Sequence, residues 1–269
     1  MFDIRKIMKK CGVTQKFLID ILSKSRSEIN RIINSDDDDK KMELWNEVIM
    51  YSVDKELYKE LYDFYVEFFS NSEDAKRFIQ EKLIHKENNI PRRMINSIER
   101  LITLADDMEN IRKGRVCLKI FFFIVCIETL YKLNDQNKIK RKINMVIDFF
   151  NNYISEADKK YILLNVRRSL ADSKYDLYYD FEESIDIEIF ARIIYQIRNE
   201  FAHEGVYWNF TFAHDEITMM NHMTVKEKEN EHKEERIYDI SLKYNEFREI
   251  CAKGLINYTQ EYFNYVFKA

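Results

Sequence analysis

The chain has 269 residues, of which 46% are hydrophobic and 33% are charged, and its formal net charge is −4. That length supports one large domain or two small ones, with material for both a core and a charged surface. The charge balance neither favours nor excludes nucleic acid as a partner, because such a binder only needs its positive charge concentrated locally. With 4 Gly and 1 Pro, turn-rich sheets are disfavoured, and the composition predicts a mainly α protein.

Cysteine usage and hydropathy indicate a cytoplasmic protein. Cys11, Cys117, Cys126 and Cys251 are far apart in the sequence and form no CxxC pair. Cys117 and Cys126 lie in an apolar helical run, where we expect buried thiols. We expect no disulfide or metal site among the four. The N-terminal MFDIRKIMKK lacks the apolar segment of a signal peptide. The longest apolar run, residues 120–127, is too short to span a bilayer, so no membrane partner is expected.

Residues 1–41 are predicted to form a small helical module of the helix-turn-helix type. Thr14-Gln15 opens a first helix, and a second helix starts near Ser25. The pattern resembles the lambda-repressor-like helix-turn-helix family, although Ile19 and Ser23 stand where that family usually has a small Ala and a turn Gly. The positions that match are Gln15, Leu18, Ile29, Ile32 and Asn34.

The resemblance implies DNA reading by the second helix of this module. Ser25, Arg26, Ser27 and Asn30 would then face the major groove. The alternative is a packing module that binds a protein partner. The run of four Asp at residues 36–39 favours this alternative, because it would repel phosphates.

Residues 42–113 are predicted to be a helical connecting region. Apolar residues recur there at three- and four-residue steps, as in Leu57, Leu61 and Phe64. Ser72 is a plausible N-cap, and Pro91 is expected in the first turn of a helix. Gly114 marks the predicted boundary with a domain that covers residues 114–269.

The predicted C-terminal domain is a helical bundle with a small β-hairpin. The run RVCLKIFFFIVCIETLYKL is apolar on nearly every face and should form its central helix. Amphipathic helices follow at residues 138–154 and 156–170, the second capped by Ser155. Ser184 precedes the key helix, Ile185 to His203. After it, VYWNFTF and ERIYDISL alternate like strands and are expected to pair, with the charged residues 224–236 mostly forming a loop between them.

The key helix carries polar residues at positions that its apolar rhythm does not explain. On a helical wheel with ~100° per residue, the apolar side chains lie within one narrow arc. The opposite face carries Glu188, Arg192, Tyr195 and Asn199. Arg198 and His203 border that opposite face, ~140° apart. One helix therefore cannot hold one phosphate between them, whereas two copies related by a twofold axis can. The predicted buried stripe comprises Phe190, Ile193, Ile194, Ile197 and Phe201.

The end of this helix suits proton handling. Gly205 is a natural C-cap, which places His203 in the last turn. A helix C-terminus favours the imidazolium form. The simpler interpretation is that Arg198 pairs with Glu200 or Glu188 on its own helix and that His203 only caps it.

The segment RNEFAH resembles the R-polar-x-x-x-H signature of HEPN-domain ribonucleases, and residues 114–269 resemble the HEPN bundle. The resemblance implies metal-independent RNA cleavage without a cofactor, through attack of the 2′-hydroxyl on the adjacent phosphorus. Arg198 would stabilise the phosphorane, His203 would transfer protons, and Asn199 would orient His203 or hold a phosphate oxygen. Because no other Arg precedes a His by five residues, a complete site needs a homodimer. Such enzymes act as prokaryotic toxins or antiphage effectors.

RNA contacts are predicted just after the motif and in a basic segment. Tyr207 and Trp208 are candidates for base stacking, and Lys138, Lys140 and Arg141 for phosphate binding. Each could instead be ordinary packing or a solvated helix face. His214, His222 and His232 lack the spacing of a zinc site, so no metal is expected.

A function of another class stays open. In that alternative the protein is a non-catalytic regulator that binds DNA through the helix-turn-helix and dimerises or senses a ligand through the bundle. A scaffold that only binds protein is a further possibility.

Overall fold

The structure, a computed structural model, describes residues 3–10, 13–22, 24–52, 55–84, 88–134, 140–169, 182–206 and 208–267. It is mainly helical with one small antiparallel sheet, which confirms the predicted class. The chain divides into two compact units, Met1–Ile95 and Asn96–Ala269. This division lies within a helix and does not coincide with the predicted segment ends at residues 41 and 113. None of the helices in the described ranges is long and apolar enough to cross a membrane.

In the described residues of the first unit, the secondary-structure elements are all helices, joined by short loops. Leu18 and Ile29 are fully buried, whereas Ile32 is half-buried and Ile33 takes the inward position beside it. Helices therefore form where the helix-turn-helix pattern predicts them. The elements are α1 (Ile4–Lys10), α2 (Gln15–Leu22), α3 (Arg26–Ile33), α4 (Asp38–Ser52), α5 (Lys55–Tyr65), a 3-10 turn (Val66–Phe68), α6 (Ser72–Ile84) and the start of α7 (Ile90–Ile111).

An acidic side chain begins α4 and an amide side chain begins α6. Asp37 accepts the backbone N–H of Lys40 at 3.1 Å, and the next two Asp lie in the first turn of α4, where they face the positive end of the helix dipole. The four-Asp run thus has a structural role. At α6 the cap is Asn71, which accepts the N–H of Asp74 at 2.9 Å. The predicted cap Ser72 is wrong, because Ser72 is already the first helical residue.

The second unit packs five helices and the sheet around a central helix. Cys117, Cys126 and Cys251 are buried free thiols, as predicted for the first two; Cys11 lies outside the described residues. Pro91 lies in the first turn of α7, as predicted. After α7 come α8 (Val116–Leu133), α9 (Lys142–Asn152), α10 (Glu156–Asn165), β1 (Val166–Ser169), β2 (Glu182–Ser184), α11 (Ile187–Glu204), β3 (Met219–Val225), β4 (Glu234–Ile240) and α12 (Tyr244–Phe267).

The expected central position of α8 is confirmed. Ten of its residues are buried, and α11 and α9 pack directly on it. Ser155 caps α10 by accepting the N–H of Asp158 at 3.1 Å, also as predicted. The core of this unit therefore lies between α8, α9 and α11, and α12 closes it.

The sheet is larger than the predicted hairpin, and one predicted strand is wrong. Its order is β2-β1-β4-β3, with antiparallel pairing throughout. The partner of β4 is β3, whereas the described residues 208–212 form no strand. Asn221 of β3 explains the difference, because its side chain accepts the N–H of Thr211 at 2.7 Å and donates to the Thr211 carbonyl at 3.1 Å. An amide side chain thus satisfies backbone groups that a strand partner would otherwise bind.

The helix predicted to continue through Arg167 and Arg168 ends earlier, at Asn165. Those residues form β1, which pairs with β2 and β4. Arg168 donates to Glu227 at 2.7 Å and also pairs with Glu183. Tyr238 donates to the same Glu227 at 2.6 Å. These ion pairs hold the sheet together.

Candidate functional site

The helix that carries the RNEFAH segment is defined by one expected cap and one unexpected cap. Asp186 begins α11 by accepting the N–H of Ile189 at 2.7 Å. The predicted start at Ile185 with Ser184 before it is therefore wrong, and Ser184 ends β2 instead. Gly205 ends the helix at φ +66°, in the left-handed conformation, and its N–H reaches the Glu200 carbonyl. The predicted C-cap is confirmed, and His203 lies in the last turn.

The α11 helix is buried over more of its surface than its apolar stripe predicts. Four of the five predicted stripe residues are buried, and Phe201 is half-buried against the ring of Phe121. Gln196, Arg198 and Glu200 are buried as well. Three polar side chains on one core helix all need partners inside the protein.

Arg198 is bound by a carboxylate from another helix. Its side chain is 8% exposed and that of Glu128, in α8, is 5% exposed. Nη2 of Arg198 lies 3.1 Å from Oε1 and 3.4 Å from Oε2 of Glu128. Nη1 donates to Asn199 Oδ1 at 3.1 Å. Nε is buried without a hydrogen-bond partner among the described residues. The guanidinium is thus fixed in place while one of its donors is unsatisfied.

Two lysine side chains also lie near the Glu128 carboxylate. Lys142 Nζ lies 3.4 Å and Lys132 Nζ 4.0 Å from its Oε2. The two lysine side chains are about half exposed. With Arg198, three cations surround a single carboxylate, so this cluster keeps a net positive charge beside solvent. Such a cluster attracts phosphate.

The simpler interpretation named two partners for Arg198, and it is wrong for both. Glu188 pairs with Arg192 at 2.6 Å. Glu200 accepts from Gln196 at 2.6 Å and also from Asn209. Burial raises the pKa of the Glu200 carboxyl above its usual value, and the nearby Glu204 acts in the same direction.

Asn199 and His203 occupy different environments. Asn199 is half-buried and its side-chain oxygen accepts from Arg198 rather than from His203. Of its two predicted roles, the structure shows neither directly. His203 is exposed at the end of α11. Within one chain, therefore, the helix presents a fixed Arg and an accessible His.

The segment after the motif is tied to α11 at Glu200. Asn209 donates to that carboxylate, and the Cys117 thiol donates to Asn209 Oδ1 at 3.3 Å. Between these anchors and Gly205, Trp208 is 69% exposed. Tyr207, the other predicted stacking residue, lies outside the described residues.

The predicted basic segment is brought next to the Arg198–Glu128 pair. Lys140 lies 3.2 Å from Asp148, and Arg141 is 80% exposed, 3.7 Å from Glu229. The next residue is Lys142, which contacts Glu128. Lys138 lies outside the described residues.

No group of three His, Cys, Asp or Glu residues in the described part of the chain is arranged to hold a metal ion. His214, His222 and His232 are exposed, and His214 lies 3.0 Å from Asp215. The helix-turn-helix candidates in the first unit are also accessible, since Ser25, Arg26 and Ser27 are exposed and Asn30 is half-buried.

Sequence reasoning missed Glu128 and Lys132, whereas Lys142 is the last residue of the predicted basic segment. A signal was present, because Glu128 is the one acidic residue of the largely apolar helix α8. A carboxylate that is buried on a core helix needs a cation to pair with. The sequence does not show which cation that is.

Comparisons of the chain with models of known protein families, with curated proteins and with solved structures find no match. Function has to be inferred from the residues and contacts described above.

Proposed function

We propose that this protein is a metal-independent endoribonuclease that cleaves single-stranded RNA at a composite site between two copies of the chain. The observation that carries the proposal is the cluster around Glu128. It fixes Arg198 inside a positively charged patch, on the same helix whose last turn exposes His203.

The reaction needs no external nucleophile. The 2′-hydroxyl of the RNA attacks the adjacent phosphorus, and the bond from phosphorus to the 5′-oxygen breaks. His203 accepts the proton of the 2′-hydroxyl and returns a proton to the leaving 5′-oxygen. Arg198 stabilises the charge of the phosphorane. The products are a 2′,3′-cyclic phosphate and a 5′-hydroxyl, so every atom and proton of the step is accounted for.

The Glu128 cluster supports this role for Arg198. A guanidinium that is positioned before substrate binds spends no free energy on reorganisation during the reaction. Glu128 provides that positioning, and Lys132 and Lys142 offset its negative charge. A phosphate oxygen approaching the cluster therefore meets net positive charge.

The second chain is part of the proposal because of the helix geometry. Arg198 and His203 are separated by about 140° around α11. In a homodimer with a twofold axis, the Arg of each copy approaches the His of its partner. The HEPN resemblance implies the same arrangement, in a cytoplasmic toxin or antiphage effector that halts growth by cleaving RNA.

The test uses single-stranded RNA incubated with purified protein in EDTA. Wild type is expected to yield fragments with cyclic-phosphate and 5′-hydroxyl ends, and Arg198→Ala and His203→Ala are expected to leave the RNA intact. Arg192→Ala is the matched control, because Arg192 lies on the same helix but pairs with the exposed Glu188. Loss of cleavage in Arg192→Ala as well, or cleavage that persists in both site variants, would reject the proposal.

A DNA-binding regulator is the second candidate, and the exposure of Ser25, Arg26 and Ser27 on α3 favours it. Against it, the Ser25 hydroxyl is engaged in capping α3, where it accepts the N–H of Glu28 at 3.2 Å. Salt-sensitive binding to a palindromic duplex that is lost in Arg26→Ala, together with RNA left intact, would favour the regulator.

A further inference from the structure

A cleft lined by tyrosines lies at the end of α8, apart from Arg198. Tyr258, Tyr262 and Tyr265 follow one another at four- and three-residue steps on α12, so they share one face of that helix. Tyr153, from the end of α9, completes the aromatic lining. Asn134 and Glu261 contribute polar groups, and the cavity measures about 150 Å³.

The floor of the cleft is rigid and its rim is open. Tyr258 is 2% exposed. Its ring stacks on Tyr131 at 4.7 Å between centroids and meets Tyr153 edge-on at 4.8 Å. Tyr265, in contrast, is 60% exposed. An aromatic ring entering the cleft would stack on the accessible ring of Tyr265, beside the packed rings of Tyr153 and Tyr258.

The size and polar groups of the cleft select the kind of ligand. A cavity of about 150 Å³ accepts a single benzene-sized ring. Asn134 donates to the Tyr258 hydroxyl at 3.3 Å, and Glu261 accepts from the Tyr153 hydroxyl at 3.0 Å. An amide and a carboxylate at the rim of an aromatic cleft match the donors and acceptors on the edge of a nucleobase. The negative charge of Glu261 disfavours a phosphate there.

The basic segment connects this cleft with the Arg198 cluster. Lys140 contacts Asp148 at 3.2 Å, and Asp148 accepts from the hydroxyl of Tyr131 at 2.6 Å, whose ring stacks on the floor of the cleft. Two residues further on, Lys142 contacts Glu128, the carboxylate that holds Arg198. Three consecutive basic side chains, each beside a carboxylate, therefore lie between the cleft and the proposed cleavage site, and a bound strand would place a phosphate between successive bases there.

We propose that the tyrosine cleft is a subsite for one pyrimidine base of the RNA strand whose phosphate is bound at Arg198. This assignment rests on the proposed ribonuclease function and adds a substrate preference to it. A single-ring base stacks on Tyr265 in the cleft, beside the packed rings of Tyr153 and Tyr258, and Lys140, Arg141 and Lys142 follow the backbone that leads from it.

The experiment measures binding separately from cleavage. Full-length His203→Ala protein, which keeps the RNA intact, is titrated into fluorescein-labelled single-stranded RNA of uridines or of adenosines, with anisotropy as the readout. The uridine strand is expected to bind more tightly. Adding Tyr265→Ala should weaken its binding by roughly 5- to 150-fold, the range for loss of one base–aromatic stack. Tyr265→Phe should retain binding, because it keeps the ring.

Two controls separate stacking from structural damage. Tyr161→Ala removes another exposed tyrosine, which lies on α10 outside the cleft and is 39% exposed. This variant should bind RNA as tightly as its parent. The second control is a series of uridine strands in which a single abasic residue occupies each position in turn. One position in the series should reduce affinity more than the others, and in Tyr265→Ala all positions should have the same effect.

The outcomes distinguish this inference from the proposed function. If wild type cleaves RNA while Tyr265→Ala binds uridine strands normally, the subsite is rejected and the ribonuclease stands. If the uridine strand binds in a Tyr265-dependent manner and wild type leaves RNA intact, the base subsite stands and the ribonuclease is rejected. Failure of the uridine strand to bind at all, or equal binding of the adenosine strand, rejects the subsite.

Discussion

Replacement of Glu128 by Gln tests whether the buried pair with Arg198 exists as described. The substitution keeps the shape of the side chain and removes its charge. Glu128 and Arg198 are 4% and 7% exposed, so the remaining guanidinium would be buried without a counterion. Removing one partner of such a pair costs about 3–5 kcal/mol.

That cost is large enough to measure against a matched variant. For a unit of this size, each kcal/mol lowers the thermal midpoint by about 2–4 °C, so Glu128→Gln should lower it by roughly 6–20 °C. Glu188→Gln removes an exposed carboxylate from the same helix as Arg198, where it pairs with Arg192 across one helical turn. This pair is worth about 0.3–0.5 kcal/mol, and its loss should shift the midpoint by no more than about 2 °C.

The assay is urea and thermal unfolding followed by circular dichroism at 222 nm. Adding Arg198→Met to Glu128→Gln should recover part of the lost stability, because it removes the unpaired buried charge. If Glu128→Gln is as stable as Glu188→Gln, the two side chains do not form a buried pair, and the positioning of Arg198 has to be explained differently.

Three further predictions concern α11. Asp186→Ala should cost about 1 kcal/mol of unfolding free energy because it removes the N-cap bond to Ile189; Ser184→Ala, at the cap that the sequence wrongly indicated, should change stability little, and equal effects would contradict the assignment. Gly205→Ala should lower the free energy of unfolding by about 1–2 kcal/mol in denaturant, because φ is +66° and an L side chain is strained there. An added Cβ meets no steric clash, since no neighbouring atom lies within 4 Å of it. An unchanged unfolding midpoint would contradict the left-handed conformation of Gly205. Glu200→Gln should alter the pH profile of the thermal midpoint. Burial raises the pKa of this carboxyl above its usual 4.5, so its own contribution to stability falls as pH rises above about 4.5. The variant should lack that contribution, and parallel profiles from pH 4 to 7 would count against it.

Helices and caps set by local chemistry could be predicted from the sequence. The apolar run of α8 indicated a central helix, and the left-handed Gly205 and the capping Ser155 are local features of a few residues. The start predicted after Ser184 is wrong because Ser and Asp both cap helices well, and the local sequence does not rank Ser184 against Asp186. Only the pairing of Ser184 in the sheet settles it, and that pairing joins residues distant in the chain.

The errors in predicting the strands also arise from contacts between residues distant in the chain. MMNHMTV in β3 alternates between exposed and buried residues, but the buried Asn221 interrupts the alternation of apolar and polar residues in the sequence. The segment that was read as a strand instead buries Phe210 and Phe212, and Asn221 holds its backbone. Local alternation cannot show which of two such segments pairs with β4, because the tertiary packing decides.

The candidate site also contains residues that the sequence could predict and residues that it could not. Arg198, Asn199 and His203 are recognisable within six residues of sequence. Glu128, by contrast, lies 70 positions before Arg198, and the tyrosine cleft combines residues from α9, α12 and the end of α8. Contacts of this kind follow from how the helices pack, and no short pattern encodes them.

The most direct test of a site shared between two chains is complementation of inactive subunits. Arg198→Ala and His203→Ala proteins, each inactive alone, are unfolded together, refolded as a mixture and assayed on single-stranded RNA in EDTA. In a mixed dimer one site would combine an intact Arg from one chain with an intact His from the other. Random pairing should then restore about one quarter of wild-type activity. A mixture as inactive as its components, although mixed dimers are shown to form, would contradict the account.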